Sequence, residues 1–239
     1  MKQRISEWNL KDKVQLEYHT KQWDEPKRST IHFSNYISNK IKTSKHVIDI
    51  GCGLGGSTYY ISKQYPNCNF VGIDTVKEMV DKGNIIIKNK EQHNIKLIQD
   101  DWFNLRNYKN IDGVISLQTL SWLPEYEKPL EELLVKIKPN WICLTSLFHE
   151  GDISVKTEIT EHSINRSSFY NTYSIPSIER FIKRFGYHVE EYKPFEIDID
   201  IPKPTQLNRM STYTISTNEK KRLQVSGPLL MNWYNLMIV

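Results

Sequence analysis

The sequence predicts a doubly wound α/β domain, and three observations carry that expectation. Val47, Ile48 and Ile50 are apolar and β-branched, as a buried parallel strand requires, and Gly51, Gly53, Gly55 and Gly56 follow at once, ahead of a helical segment. A second apolar run, Phe70-Val-Gly-Ile-Asp74, ends in an acid. Further strand-like runs near 95–99, 112–117 and 141–147 alternate with helical patterns, which is how a chain lays strands parallel.

Taken in order, residues 2–25 are polar with scattered aromatics (Trp8, Tyr18, Trp23) and lean towards helix. Ser29 or Thr30 is placed to cap a helix whose apolar positions Phe33, Ile37 and Ile41 recur every fourth residue. The helix Ser57–Tyr65 after the glycine turn is stopped by Pro66-Asn67. Thr75-Val-Lys-Glu78 has the form of a capping box opening the helix after the second strand. Pro129 opens a helix over Leu130–Ile137, and Trp141–Leu147 reads as the fifth strand. Ile175-Pro-Ser177 starts a helix through Phe185 that Gly186 closes. The alternation in Phe195-Glu-Ile-Asp-Ile-Asp-Ile201 predicts a half-exposed strand. A hairpin is expected from Ser211–Ser216 and Arg222–Ser226 around Thr217-Asn-Glu-Lys, and a final strand from Trp233–Val239.

At 239 residues the chain is long for a minimal α/β domain and short for two. The net charge of +4 comes from basic residues in small groups interleaved with acids, which describes a solvated face better than a nucleic-acid track. No Asp/Asn-Pro-Pro-aromatic tetrapeptide and no Pro-Cys pair is present to act on a nucleic-acid base. Mean hydropathy is −0.55, and no apolar run approaches a membrane span. Cys52, Cys68 and Cys143 form no C-x-x-C pair, and Met1-Lys-Gln-Arg-Ile-Ser-Glu7 lacks a signal peptide's apolar core, so a reducing cytoplasm is expected. No metal site is expected.

The spacing Gly51, Gly53, Gly56 satisfies a dinucleotide pattern, and Asp49 decides between cofactors. A carboxylate just ahead of the turn would repel a pyrophosphate seated there. It suits a cofactor that has no phosphate and carries a cationic amine. Asp74 stands about 20 residues on, where a ribose diol is normally held. Met79 lies one turn into the next helix, placed to lie against a flat ring. The run Asp49-x-Gly51-x-Gly53-x-Gly55, followed by Gly72-Ile-Asp-Thr75 and Met79, resembles the class I S-adenosylmethionine (SAM) dependent methyltransferases over roughly residues 45–150. The resemblance implies a Rossmann-like sheet with a reversed last strand. Residues 1–44 would be an N-terminal helical cap, 45–150 the SAM-binding core, and 151–239 an acceptor-side arm, helix and C-terminal strands with a β-hairpin.

Position by position, the resemblance implies that the turn at Gly51, Cys52 and Gly53 lies beside the methionine part of SAM. Asp49 would receive its ammonium, Asp74, with Thr75 behind it, would hold the ribose, and Met79 would pack on the adenine. Leu97-Ile-Gln-Asp-Asp-Trp-Phe103 resembles the family's segment after the third strand. There Asp101 is the better match for the adenine amine, Asp100 is the reserve, and the Trp102 backbone runs near the ring. Leu117 and Gln118, after the fourth strand, would sit under the sulfonium. Ser121 and Trp122 would face the acceptor. Leu134-Val-Lys-Ile-Lys-Pro-Asn140 stands where the family shows a Lys-Pro-Gly-Gly turn, so this turn is built differently.

Open α/β sheets bind ligands over the C-terminal ends of their strands. Two segments are expected to reach that edge: the cap, with Tyr18, Trp23 and Arg28, and the polar arm with His149, Glu150, Asp152, Glu158, Glu161 and His162. A hydroxyl acceptor needs a general base, for which His149 is the first candidate and His19 and His162 follow. The expected function is methyl transfer from SAM to an oxygen or nitrogen of a small polar metabolite, with a lean towards a sugar or sugar derivative. The alternatives are an RNA methyltransferase, a non-catalytic SAM-binding protein and a nicotinamide-dependent oxidoreductase, the last opposed by Asp49.

Overall fold

The computed structural model describes residues 13–162, 165–203, 205, 212–226 and 237. The cap supplies helices α1 (Lys13–Lys21), α2 (Arg28–Tyr36) and α3 (Ser38–Lys42). The alternating core follows: β1 (His46–Ile50), α4 (Gly56–Gln64), β2 (Asn69–Asp74), α5 (Lys77–Asn89), β3 (Ile95–Gln99) and β4 (Gly113–Leu117). A 3-10 turn at Leu120–Trp122 leads to α6 (Glu127–Glu132), a π-helical turn (Leu133–Ile137) and β5 (Trp141–Thr145). Beyond lie β6 (Phe148–His149), β7 (Glu158–Glu161), β8 (Arg166–Phe169), β9 (Tyr173–Ser174), α7 (Ile175–Lys183), β10 (Thr212–Ser216) and β11 (Arg222–Ser226).

The central sheet has the order β3-β2-β1-β4-β5, and each of its pairings is parallel. Chain order thus reverses between β1 and β4, the crevice where such sheets hold ligands. Side chains alternate across the sheet. Val47, Phe70 and Ile115 pack with Phe33, Tyr59, Ile61 and Val80 on one face. Ile48, Ile50, Ile73 and Val114 pack with Leu130, Leu133, Leu134 and Ile178 on the other. Burying both faces explains why β1 is apolar at every inward position but one, Asp49.

Two compact units are distinguished: one comprises the chain to Thr160 together with Arg166–Glu190, the other Glu161–Asn165 with the segment from Glu191 onward. In the first, β6 pairs with β9, and Val155 bridges to Thr172. In the second, β10 and β11 form the expected antiparallel hairpin. A reversed strand of the central sheet is not among the described residues, and the strand expected over 233–239 lies outside them except for Met237.

Several local expectations are corrected. Neither Ser29 nor Thr30 caps α2, which starts at Arg28; the Thr30 hydroxyl instead meets Ser57 at 3.0 Å. The Phe33, Ile37, Ile41 stripe is buried as expected but is divided between α2 and α3 at Ile37. Thr75–Glu78 forms no capping box: α5 begins at Lys77 with Val76 in the N-cap position and no side-chain cap, and the Val76 N–H is held by Asp74 Oδ1 at 2.9 Å. The Leu130–Ile137 helix starts earlier, at Glu127, and widens into the π turn, which Lys138 ends at φ +53°. Phe195–Ile201 is not a strand. Its acids turn to Arg222: Glu196 accepts the Arg222 N–H and Asp200 binds the Arg222 Nε, while the Ile201 carbonyl accepts the Thr214 N–H.

Candidate donor site

The site is built on the glycine turn. Alternation along β1 turns Asp49 towards α4, where Thr58 stands in the first helical turn and donates its hydroxyl to Asp49 Oδ2 at 2.5 Å. Asp49 Oδ1 is buried and has no hydrogen-bond partner among the described residues. Burial pushes this carboxyl up to about 7, opposed by the Thr58 hydroxyl and reinforced by the charge of Asp74. A buried carboxylate oxygen without a donor is costly, so its presence here calls for a cationic or N–H partner.

Gly51, Gly53 and Gly55 all take left-handed φ, at +74°, +57° and +91°. The N–H groups of Gly51 and Cys52 both reach the Ile73 carbonyl, at 2.8 and 3.0 Å, and the Gly53 N–H reaches Asp74 Oδ2 at 2.8 Å. The turn is therefore tied to the end of β2, and Asp74 is gripped through both oxygens. Burial raises the Asp74 carboxyl, with the backbone N–H groups of Val76, Gly53 and Thr75 opposing. Burial also lifts the Cys52 thiol, and the Asp74 and Asp49 charges add to it, so this thiol stays protonated.

Gly53 has Met79 and His19 above it. A Cβ there would lie 3.6 Å from His19 Cε1 and 4.0 Å from Met79 Sδ. Met79 is fully buried. Across the turn, Thr119 packs on Gly51, its Oγ1 3.4 Å from the Gly51 carbonyl. Gln118, just before it, is an exposed non-glycine residue held at φ +60°, with its N–H on the Thr145 carbonyl at 2.7 Å. Leu117 is half-buried at the end of β4.

Past β3, Asp101 is exposed and folds back to accept the Phe103 N–H at 2.9 Å, while Asp100 accepts the Tyr108 hydroxyl at 2.5 Å. The Trp102 ring is buried in the core, and its Nε1 has no hydrogen-bond partner among the described residues. Ser121 is buried, with its N–H on Ser146 Oγ and its carbonyl accepting from Asn171. Trp122 is half-buried and packs on Tyr170, ring centroids 4.8 Å apart.

The other expected positions are placed as follows. Tyr18 is exposed, with Lys27 Nζ 4.6 Å from its ring centre. Trp23 is buried against Tyr59, ring centroids 5.0 Å apart. His149 and Glu150 are exposed. Asp152 pairs with Arg180 at 2.6 Å, and that guanidinium holds its carboxyl below the usual range. His162 is exposed and belongs to the second unit. Asp49, Gly51, Gly53, Asp74, Met79 and His19 are thus brought together, whereas Trp23 faces the core and Asp152 faces Arg180.

Comparison with known proteins adds family membership. A family profile described as a methyltransferase domain matches residues 41–206. The chain belongs to this methyltransferase family. The probable (S)-tetrahydroprotoberberine N-methyltransferase 2 of Papaver bracteatum is 28% identical over 141 residues, covering 57% of this chain and 37% of that protein. The malonyl-[acyl-carrier protein] O-methyltransferase of Halalkalibacterium halodurans is 28% identical over 107 residues, covering 43% and 38%. The matched region therefore spans little more than a third of either relative. In structure, a chain of the complex between the Haloferax volcanii Trm112 methyltransferase activator and its methyltransferase superposes with a TM-score of 0.58, at 18% identity over 84% of this chain and 85% of that one. A Methanococcus maripaludis protein described as a SAM-dependent methyltransferase gives 0.51 at 18% identity over 62% and 68%. At that identity the likeness concerns the fold, a parallel sheet with helices on both sides.

In this methyltransferase domain three residues escape a reading of the sequence: Thr58, Thr119 and Asn171. Thr58 bonds Asp49 across the turn, Thr119 meets Gly51 across the sheet, and Asn171 is gathered from far along the chain. None carries a local pattern, because each partner is brought near by the fold. All three cysteines are free thiols, and among the described residues no helix is long and apolar enough to cross a membrane.

Proposed function

We propose that the protein binds SAM and transfers its methyl group to a nitrogen or oxygen atom of a small molecule. The observation that most supports this reading is the buried, unpartnered Asp49 oxygen beside a left-handed glycine turn whose second glycine is bonded to Asp74. Two carboxylates in one crevice disfavour a pyrophosphate and favour a donor that is cationic at one end and carries a diol further along. SAM has that order: amino acid, sulfur, ribose, adenine.

In this reading Asp49 takes the ammonium, Asp74 accepts from the ribose hydroxyls, and Met79 packs on the adenine. Cys52 and Thr75 line the same turn, Asp101 and the Trp102 backbone flank the base, and Leu117 and Gln118 lie beneath the methyl-bearing end. When bound, SAM supplies an activated methyl group. The chain's own task is then to hold the acceptor in line and exclude water. Residues 1–44 act as the cap, 45–150 as the donor core, and 151–239 as the acceptor side, with Ser121, Trp122 and Tyr18 nearest the acceptor. For a hydroxyl acceptor His149 is the base; His19 is a weak one, since burial, helped by Lys27, lowers its imidazole to about 4.

The relatives include an N- and an O-methyltransferase, which matches the reading of a nitrogen or oxygen acceptor. The sugar preference loses two of its props, because Trp23 lies in the core and Asp152 on Arg180. Isothermal titration of the whole protein with SAM, S-adenosylhomocysteine and NAD tests the donor assignment. Binding of both sulfur ligands is expected, and binding of NAD alone would overturn it. Counting S-adenosylhomocysteine formed with a pool of small amines and alcohols then separates an enzyme from a binding protein.

A further inference from the structure

The N-terminal cap is fastened to both helices that flank the glycine turn. Gln22 approaches Gly56 so closely that a Cβ there would lie 3.0 Å from Gln22 Cβ and 3.2 Å from its backbone carbon. Trp23 packs on Tyr59 of α4, Thr30 meets Ser57 at the start of α4, and Asp24 pairs with Lys90 just past α5 at 2.7 Å. These contacts carry the last turn of α1 over the turn and set the His19 ring above Gly53.

Gly53 lies at a defined point along the donor. Its N–H is on Asp74, the proposed ribose acid, while Asp49, the proposed ammonium acid, stands four residues earlier in sequence. Sulfur is the atom that joins those two parts of SAM. Met79 shares the space above Gly53 with His19, so with Met79 on the adenine the His19 ring is left for the adjoining sulfur.

We propose that His19 is a donor-contacting residue supplied by the cap, a neutral ring that roofs the sulfur between Asp49 and Asp74. This inference rests on the SAM reading above. A cation at this place would oppose a charged sulfonium and leave a thioether almost untouched. The burial of the ring and the nearby Lys27 keep the imidazole unprotonated at neutral pH, so it covers the site without that opposition. Its role is to exclude water and position the donor.

The test compares SAM with S-adenosylhomocysteine, which differ by the methyl group and its positive charge, in titrations of the whole protein at pH 7.5. His19→Lys is expected to weaken SAM about tenfold more than S-adenosylhomocysteine. His19→Phe, which restores a flat neutral ring, should bring the ratio of the two affinities back to the wild-type value. Equal weakening of both ligands by His19→Lys, or no weakening, would overturn the proposal. Should His19→Lys fail to fold, hydrogen exchange of the wild-type protein decides: S-adenosylhomocysteine must slow exchange over residues 16–22, and unchanged exchange there refutes the roof. Failure of the wild-type protein to bind either ligand would instead remove the SAM reading itself.

Discussion

Thr58 donates to one oxygen of Asp49, and the other is buried without a partner among the described residues. The arrangement disfavours the ionised carboxylate until a further donor reaches its second oxygen. One hydroxyl is too little to offset the burial of a carboxylate, and the Asp49 carboxyl is accordingly raised to about 7, with burial the larger cause.

The raised carboxyl fixes a pH dependence. An unfolded Asp titrates near ~3.9, so between about pH 4 and 7 the native state holds a proton that the unfolded chain has lost. The empty protein should therefore lose stability as pH rises through that window, by on the order of 4 kcal/mol in the limit, with the penalty complete above pH 7. Asp49→Asn should flatten this slope in urea titrations at stepped pH. It should also weaken SAM by roughly 2 kcal/mol, the scale of a charged hydrogen bond. Binding of SAM by the wild-type protein at pH 6 should release a proton, read from the dependence of binding heat on buffer. Zero release, with a pH-independent affinity, would contradict the pairing of Asp49 with the ammonium.

Thr58→Val keeps the shape of the side chain and removes the one hydroxyl that Asp49 has. The loss matters only while Asp49 is ionised. The variant should thus lose about 1.5–3 kcal/mol at pH 8 and much less at pH 5, where the carboxyl is protonated. Thermal melts at the two pH values check this. An equal loss at both would mean that Thr58 matters for packing alone.

How much of this was legible follows from the range of each signal. The first two strands, the glycine turn, Asp49 and Asp74 all lie within His46–Asp74, and period and composition reveal them. Asp49 stands out because it is the single acid in an otherwise buried strand. The caps were misread where the helix starts at another residue than the pattern suggests, as when Val76 rather than Thr75 takes the N-cap position of α5 and gives its N–H to Asp74. The alternation of Phe195–Ile201 resembles a strand, yet its acids serve Arg222. The surroundings of the glycine turn were legible and those of Trp23 and Asp152 were not, because Trp23 packs on Tyr59 and Asp152 pairs with Arg180, from other parts of the chain.

Asn171 shows such a long-range tie most fully. It is completely buried: its Oδ1 accepts the Thr157 N–H at 2.8 Å, its Nδ2 donates to the Leu123 carbonyl at 2.8 Å, and its backbone N–H reaches the Ser121 carbonyl at 2.8 Å. It fastens the arm to the loop that carries Thr119 and Trp122. Asn171→Ala strands the partly buried Thr157 N–H and leaves the Leu123 carbonyl to Tyr173 alone, so a loss of about 1–3 kcal/mol is expected in urea unfolding. SAM affinity should change less than threefold, on the order of 0.6 kcal/mol, because the donor half of the site is not touched. A large fall in SAM affinity would show that the arm supports the donor side too.

Gly51 and Gly53 separate two reasons for a glycine. Both have left-handed φ, which costs a side-chain-bearing residue roughly 1–2 kcal/mol. At Gly51 a Cβ would also fall 2.3 Å from Thr119 Oγ1 and 2.8 Å from Thr119 Cβ, and a short branched side chain fixed at that distance cannot swing clear. At Gly53 the same atom would meet only His19 and Met79 at ordinary contact distance. Gly51→Ala should therefore cost about 3 kcal/mol or more, the backbone cost plus overpacking, and Gly53→Ala only the backbone part. Shortening the neighbour, in Gly51→Ala with Thr119→Ser, should recover part of the loss, since one of the crowded atoms is removed. Urea titration of the four proteins reads the comparison, and a Gly53→Ala loss equal to that of Gly51→Ala would show that Thr119 does not set the limit.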